Sequence, residues 1–248
     1  MNLTSLSKQL VDSLHLQVPP VAVCLTNEVP VGVPEFSGSA SAGCCFWELA
    51  AQQPIATSTR DHELCSIGIY THNLPNPSLR HRSELKTVLK VLEDMHYVRP
   101  EDIPQIPVLR ESWKHVVYAP LHAAPLSPDV VLVFAQANQG LVIAEAAQQV
   151  ESCTAPALGR PACAVIPQVM NTDRAALSLG CCGARAYLSI LTDNVALWGL
   201  PGRQIECYVE RITELARANE LLNKFHSVRL TQVQSGLTPT YQESMAKM

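Results

Sequence analysis

The sequence predicts an α/β protein folded as a single compact domain. Short apolar runs bounded by proline, glycine or serine alternate along the chain with stretches whose apolar residues recur at helical spacing. Hydrophobic residues make up 47% of the 248 and charged residues only 16%, which is enough apolar material for a substantial core and the reverse of a disordered composition.

Leu3, Leu6, Leu10, Val11 and Leu14 predict a helix over 3–15, stopped by Pro19-Pro20. Residues 21–25 follow as a strand buried on both faces, with Cys24 inside it as a small core hydrophobe. After a Pro-, Gly- and Ser-rich loop, Ser41 caps a helix over 42–52 that Pro54 ends. That placement puts Cys44 and Cys45 in a first helical turn, where free N–H groups and the helix dipole lower a thiol pKa. Residues 55–59 read as a short strand and 61–68 as a polar turn carrying Cys65. Leu85, Val88, Leu89, Leu92 and Met95 mark a helix from 83 to 96, with Arg80-His81-Arg82 as its solvated start. Residues 97–112 hold three prolines and read as irregular. Strands follow at 116–119 and 129–134, then a helix over 139–150, a loop over 151–160 and a strand at 162–166 stopped by Pro167. A helix over 186–191 and a strand at 195–199 come next. Ile205, Val209, Ile212, Ala216 and Leu222 mark a long helix to 226, leaving 227–248 as a polar tail.

An internal echo divides the domain into halves of about 1–118 and 119–226. Each runs strand, helix, strand, then cysteine near glycine: 21–25, 42–52, 55–59 and Cys65 in one, and 129–134, 139–150, 162–166 and Cys181-Cys182 in the other. The echo predicts two related halves packed face to face, with the cysteines near their junction.

Net charge is −4 and no Lys/Arg cluster exceeds the short triplet in 80–82, which excludes a broad nucleic-acid face. No run approaches the length of a membrane span, and Lys8 and Asp12 interrupt any signal-peptide core. A cytoplasmic protein is expected, and in that reducing compartment gathered cysteines serve metals or catalysis more often than disulfides. No phosphate-binding G-x-x-x-x-G-K-[ST] loop, no G-x-G-x-x-G after a strand and no G-x-S-x-G elbow occurs, which argues against nucleotide-driven chemistry and serine hydrolysis. The expected partners are a small-molecule substrate or a redox protein, with a homo-oligomer left open.

Six motifs occur in order: Pro20-Val21-Ala22-Val23, Cys44-Cys45-Phe46-Trp47, Asp61-His62-x-x-Cys65-x-x-Gly68, Pro128-Asp129-Val130-Val131, Arg160-Pro161-Ala162-Cys163 and Ser178-Leu179-Gly180-Cys181-Cys182-Gly183-Ala184-Arg185. Together they resemble the DUF169 family of prokaryotic proteins of unassigned function, over roughly residues 10–205. The resemblance implies a cytosolic α/β protein whose recurrent cysteines suggest a metal or iron–sulfur site. It supplies no reaction.

The thiols themselves point to chemistry. Four or more thiolates meeting in a reducing compartment bind a soft or borderline metal, as an iron–sulfur cluster of the 4Fe-4S type or as a zinc site. No C-x-x-C pair is present, so the spacing matches neither a zinc ribbon nor a finger. Adjacent side chains diverge, so one thiol of each pair ligates. The expected ligands are Cys45, Cys65, Cys163 and Cys182, with Cys44 and Cys181 as the exchangeable members. Gly180 and Gly183 permit close backbone approach, so that N–H groups point at a cofactor's sulfide. Arg185 holds an anionic substrate, offsets cluster charge, or pairs with a carboxylate at a helix start. His62 is a proton donor, a fifth ligand, or a turn residue bonded to the backbone. The function expected is a redox or Lewis-acid enzyme, an oxidoreductase or lyase. The alternatives are a non-catalytic metal or cofactor carrier and a metal-free dithiol redox protein.

Overall fold

The computed structural model describes residues 2–159 and 161–248; Arg160, quoted among the motifs, lies outside them. Seven strands form one mixed sheet: β1 (Val21–Thr26), β2 (Ile55–Ser58), β3 (His115–Pro120), β4 (Val130–Gln136), β5 (Ala157–Leu158), β6 (Ala176–Ser178) and β7 (Val195–Pro201). Their order is β2-β3-β1-β4-β7-β6-β5, and every pairing is antiparallel except β5 with β6. The helices are α1 (Leu3–Leu14), α2 (Cys45–Ala50), α3 (Ser66–Thr71), α4 (Leu79–Asp94), α5 (Ala137–Glu151), α6 (Val165–Thr172), α7 (Cys182–Tyr187), α8 (Ile205–Gln234) and α9 (Tyr241–Met245).

Strand alternation divides the core between the two faces of the sheet. Val21, Val23, Val130, Leu132 and Phe134 point to one face and pack with Phe46, Trp47, Ile166 and Val169 from α2 and α6. Ala22, Val131, Val133 and Ala135 point to the other and pack with Leu10, Ile143, Tyr208 and Ile212 from α1, α5 and α8. Strands buried on both faces explain the unbroken apolar runs.

The halves lie side by side, not face to face. At the sheet centre Ala22 of β1 faces Val131 of β4, flanked by Val21 with Leu132 and Val23 with Val130. An antiparallel pair has a local two-fold axis normal to the sheet, and here the axis extends outward. β3 beyond β1 corresponds to β7 beyond β4, and β2 corresponds to β6. Pro120 pairs with Val21 as Pro201 pairs with Val130. The N–H of Leu121 donates to Pro20 O at 2.8 Å, and that of Gly202 donates to Asp129 O at 2.9 Å. On one face α2 packs on β2 and β3, as α6 packs on β6 and β7.

Three sequence expectations are corrected. Residues 162–166 are a 3₁₀ turn (Ala162–Ala164) running into α6, not a strand. A five-residue apolar run suits a buried strand or a buried helix equally, and Pro167 falls in the first turn of α6, where its missing N–H costs nothing. The counterpart of β2 is therefore β6. The helix expected over 186–191 lies earlier, as α7, starting at Cys182. The long helix does not stop at 226: α8 continues to Gln234, and α9 folds back on it through Ser244 Oγ to Gln232 Oε1 (2.7 Å) and the stacked rings of Phe225 and Tyr241. Among the described residues no helix is long and apolar enough to cross a membrane.

A side chain at Gly202 has no room, because a Cβ there would stand 1.8 Å from Pro128 O, a backbone atom. Gly202→Ala is expected to cost about 3 kcal/mol in a urea unfolding titration, through displacement of the Pro128–Asp129 backbone. A change within about 0.5 kcal/mol would show that this backbone accommodates the methyl.

Candidate functional site

The topology places four thiols on one face of the sheet. Cys44 stands immediately before α2, and Cys163 lies in the turn that enters α6. Cys65 follows β2 and leads into α3; Cys181 follows β6 and leads into α7. Under the two-fold relation Cys44 thus corresponds to Cys163 and Cys65 to Cys181, two thiols from each half. All four line a single cavity of about 360 Å³, with Cys182 also on its wall. Cys44 lies within electrostatic reach of Cys163, Cys45, Cys65 and Cys181, and Cys163 within reach of Cys65 and Cys181.

The surroundings of these sulfurs are closely fitted. The backbone N–H groups of Gly43 and Gly68 donate to the sulfur of Cys65. A Cβ on Gly68 would fall 2.9 Å from that sulfur, and one on Gly43 would fall 2.7 Å from His62 Nδ1. Both glycines are therefore required by close approach. Thr71 Oγ1 lies 3.4 Å from Cys163 Sγ. His72 accompanies it, with Nδ1 2.9 Å from Gly68 O.

Burial dominates the titration of the group. Desolvation pushes the Cys44 and Cys163 thiols far above the usual range, with neighbouring thiols adding to it at Cys44. Cys65 is also raised by burial, against the opposing pull of its two N–H donors. The expectation that a helix start lowers the Cys44 pKa is overturned, because desolvation outweighs the dipole. Burial also holds His62 neutral, with its pKa pushed down to about 3, and His72 with its pKa down to about 4.

Several residues singled out from sequence stand elsewhere than expected. Arg185 does not face the cavity as an anion holder, nor does it meet a carboxylate. Its guanidinium donates to the carbonyls of Leu191 (3.4 Å), Thr192 (2.5 Å), Val195 (3.3 Å) and Leu179, closing the loop between α7 and β7. Gly180 serves that clamp: its φ is +87°, and a Cβ would stand 3.0 Å from Arg185 Nε. Gly183 lies on the cavity wall but leaves room for a methyl, the nearest atom being Tyr187 Cε2 at 3.7 Å. His62 is buried behind Cys65, edge-on to Phe46 at 4.9 Å, with neither ring nitrogen bonded. It is not the backbone-bonded turn residue expected. Cys45 is half-buried and off the wall, and Cys182 is exposed on it. Cys24 is in the core, its thiol raised by burial to about 12.

Other contributors escaped the sequence reading. Gly43 and Gly68 flank the cysteine motifs, so their positions were visible though their role was not. Tyr118, on β3, and Trp47 carry buried polar atoms without hydrogen-bond partners in the same core cluster as Cys44 and Cys163. Opposite the thiols the cavity wall is α4, through Leu85, Val88, Leu89 and Leu92. Asn73 and Asn76 before α4 and His96 after it adopt left-handed backbone. Among the described lining residues the only charged side chain is Glu84.

Among the described residues no three His, Cys, Asp or Glu side chains are grouped as one metal ion requires. A single tetrahedral zinc would gather its sulfurs to about 2.3 Å from one point. Thiols spread around a cavity fit a polynuclear group better than one ion. The donor set is all sulfur, with peptide N–H groups directed at it, which is the chemistry that Cys-ligated clusters use.

A family model described as "Uncharacterised ArCR" matches residues 9–211. No curated protein and no solved structure matches the chain.

In metal-free protein at about pH 8, iodoacetamide labelling read by mass spectrometry is expected to modify the exposed Cys182 and Cys207 first. Cys24, Cys44 and Cys163 should label only on unfolding. Labelling of Cys44 or Cys163 as fast as Cys207 would mean that the cavity stands open in solution.

Proposed function

The chain belongs to the DUF169 family, and we propose that it is an iron–sulfur protein acting as a redox or Lewis-acid enzyme on a small molecule. The observation that carries the reading is the convergence of Cys44, Cys65, Cys163 and Cys181, two from each half, on one cavity. These four are the proposed ligands. They differ from the set expected from sequence in the member of each adjacent pair, because Cys44 and Cys181 are the ones related by symmetry to Cys163 and Cys65. When bound, a cluster supplies electrons, or Lewis acidity at an iron with an open position. The protein supplies the rest. The Gly43 and Gly68 N–H groups stabilise negative charge on sulfur, and the aliphatic side of α4 keeps water from it.

Two observations weigh on the alternatives. A dithiol–disulfide cycle needs a thiolate to attack, and burial raises the thiols of Cys44, Cys65 and Cys163 above their ordinary range. A lone zinc needs a tighter grouping than the described residues offer. The substrate follows from the wall. With no cation among the described lining residues and Glu84 as the one charge, the cavity favours an uncharged, largely apolar molecule over a phosphate or carboxylate.

Anaerobic reconstitution with ferrous iron and sulfide is expected to give brown protein with near-stoichiometric iron and sulfide. Cys44→Ser, Cys65→Ser, Cys163→Ser and Cys181→Ser should each lose most of the iron, while Cys24→Ser, Cys45→Ser and Cys207→Ser keep it. Colourless protein with one equivalent of zinc, or equal iron in all seven variants, would sink the reading. For the substrate, toluene should raise the thermal midpoint and benzoate, of similar size but anionic, should not. Preference for benzoate would reverse the charge argument.

A further inference from the structure

The two-fold relation between the halves leaves one long segment without a counterpart. Cys65 leads into α3 as Cys181 leads into α7, and β3 corresponds to β7. Between α7 and β7 the chain needs only residues 188–194, whereas between α3 and β3 it runs through 72–114, and α4 lies in that excess. Every strand pairing of the sheet is made without α4. Long excursions from a compact domain commonly serve function, active-site lids among them.

The excursion is fastened at its base and loosely held beyond it. Leu74 and Leu109 are buried in the core cluster that holds Cys44 and Cys163. The N–H of Leu109 donates to Thr71 O at 2.9 Å and Ser112 Oγ donates to Asn73 O at 2.7 Å, which draws the two ends together. Between Leu74 and Leu109 the one buried residue is His81. Its Nδ1 accepts from the Ser78 N–H (3.2 Å), and its Nε2 faces Glu63 Oε2 at 3.6 Å. Arg80 donates to the other oxygen of Glu63 at 3.1 Å. The start of α4 is thereby pinned to the chain just before Cys65. Further along, Leu85, Val88, Leu89 and Leu92 are half-buried on the cavity wall, while Lys86, Thr87 and Lys90 are exposed. A segment with so few buried side chains opens at a lower free energy than the sheet it covers.

We propose that α4 is a lid: held at His81, it swings clear of the thiols to admit a small apolar molecule and closes on that molecule with Leu85, Val88, Leu89 and Leu92. The inference rests on the reading of this cavity as a substrate site and is independent of whether a cluster occupies it. Closure supplies the aliphatic residues of α4 with the packing partner that the sheet does not give them, so occupancy and closure favour each other.

Thr87→Pro breaks α4 from its exposed side and changes no residue of the cavity wall. In metal-free protein at about pH 8, iodoacetamide is expected to modify Cys44 and Cys163 of this variant roughly a hundredfold faster than in wild type. Cys24, in a separate core cluster, should still label only on unfolding. The thermal midpoint should stay within about 2 °C of wild type. Thr87→Ala, which keeps the helix, should label as wild type does. Toluene should raise the midpoint of wild type and of Thr87→Ala, and leave that of Thr87→Pro where it was. The lid is refuted by wild-type labelling of Cys44 and Cys163 in Thr87→Pro. It is equally refuted if Cys24 labels in step with them while the midpoint falls by roughly 10 °C, because α4 is then part of the global fold. An equal rise with toluene in both Thr87 variants overturns closure on the occupant. No rise in wild type overturns the apolar-substrate reading, and the thiol labelling still decides the lid.

Discussion

The pairing of β1 with β4 is the constraint on which the rest of the molecule depends. Six residues, Val21, Ala22, Val23, Val130, Val131 and Leu132, form the seam between two topologically related halves, and all six are fully buried. An edge strand would offer unpaired N–H and C=O groups to other chains, and joining the halves here removes two such edges at once. It also aligns their helices, so that α2 and α6 share one face. The thiols carried into those helices, and those after β2 and β6, consequently open on one space. A one-residue slip at the seam would turn Val21, Val23, Val130 and Leu132 away from their core and separate the sulfurs with them.

The site is assembled against its own desolvation cost. Burial raises Cys44, Cys65 and Cys163, leaves both nitrogens of His62 unbonded, and strands the polar atoms of Trp47 and Tyr118. Native interiors seldom leave so many polar atoms unsatisfied together, and each such group calls for an explanation in strain, in function or in a missing partner. The proposed cluster would be such a partner, held by Cys44, Cys65, Cys163 and Cys181 as thiolates. The stability of the fold and occupancy of the cavity are then coupled.

Much of the architecture was legible in the sequence because its signals are local. The runs at 21–25, 116–119 and 129–134 are short, apolar and rich in valine, with proline close beside each, and they are β1, β3 and β4. The internal echo was also legible, as two strand–helix–strand series each followed by cysteine. Its partner strand was misplaced, because 162–166 carries no period and helix and strand compete on equal terms there. The pairing direction of the halves depends on contacts far apart in the chain and leaves no local mark. The same limit governs the site. That thiols gather could be read from the motifs, but the choice within Cys44-Cys45 and Cys181-Cys182 turns on which way a helix faces. Arg185 was misread for a related reason: four backbone carbonyls can occupy a guanidinium, and carbonyls have no signature in a sequence.

The division of the thiols between the halves has a consequence for biogenesis. Cys44 and Cys65 precede β3, while Cys163 and Cys181 follow β4, and Cys181 is held in place only when β7 has inserted between β4 and β6. A nascent chain still tethered to the ribosome at β4 presents half a binding site and no cavity. A cluster of the kind proposed would therefore be taken up by the finished sheet, beside α4, the part of the cavity wall that meets the body chiefly through α3.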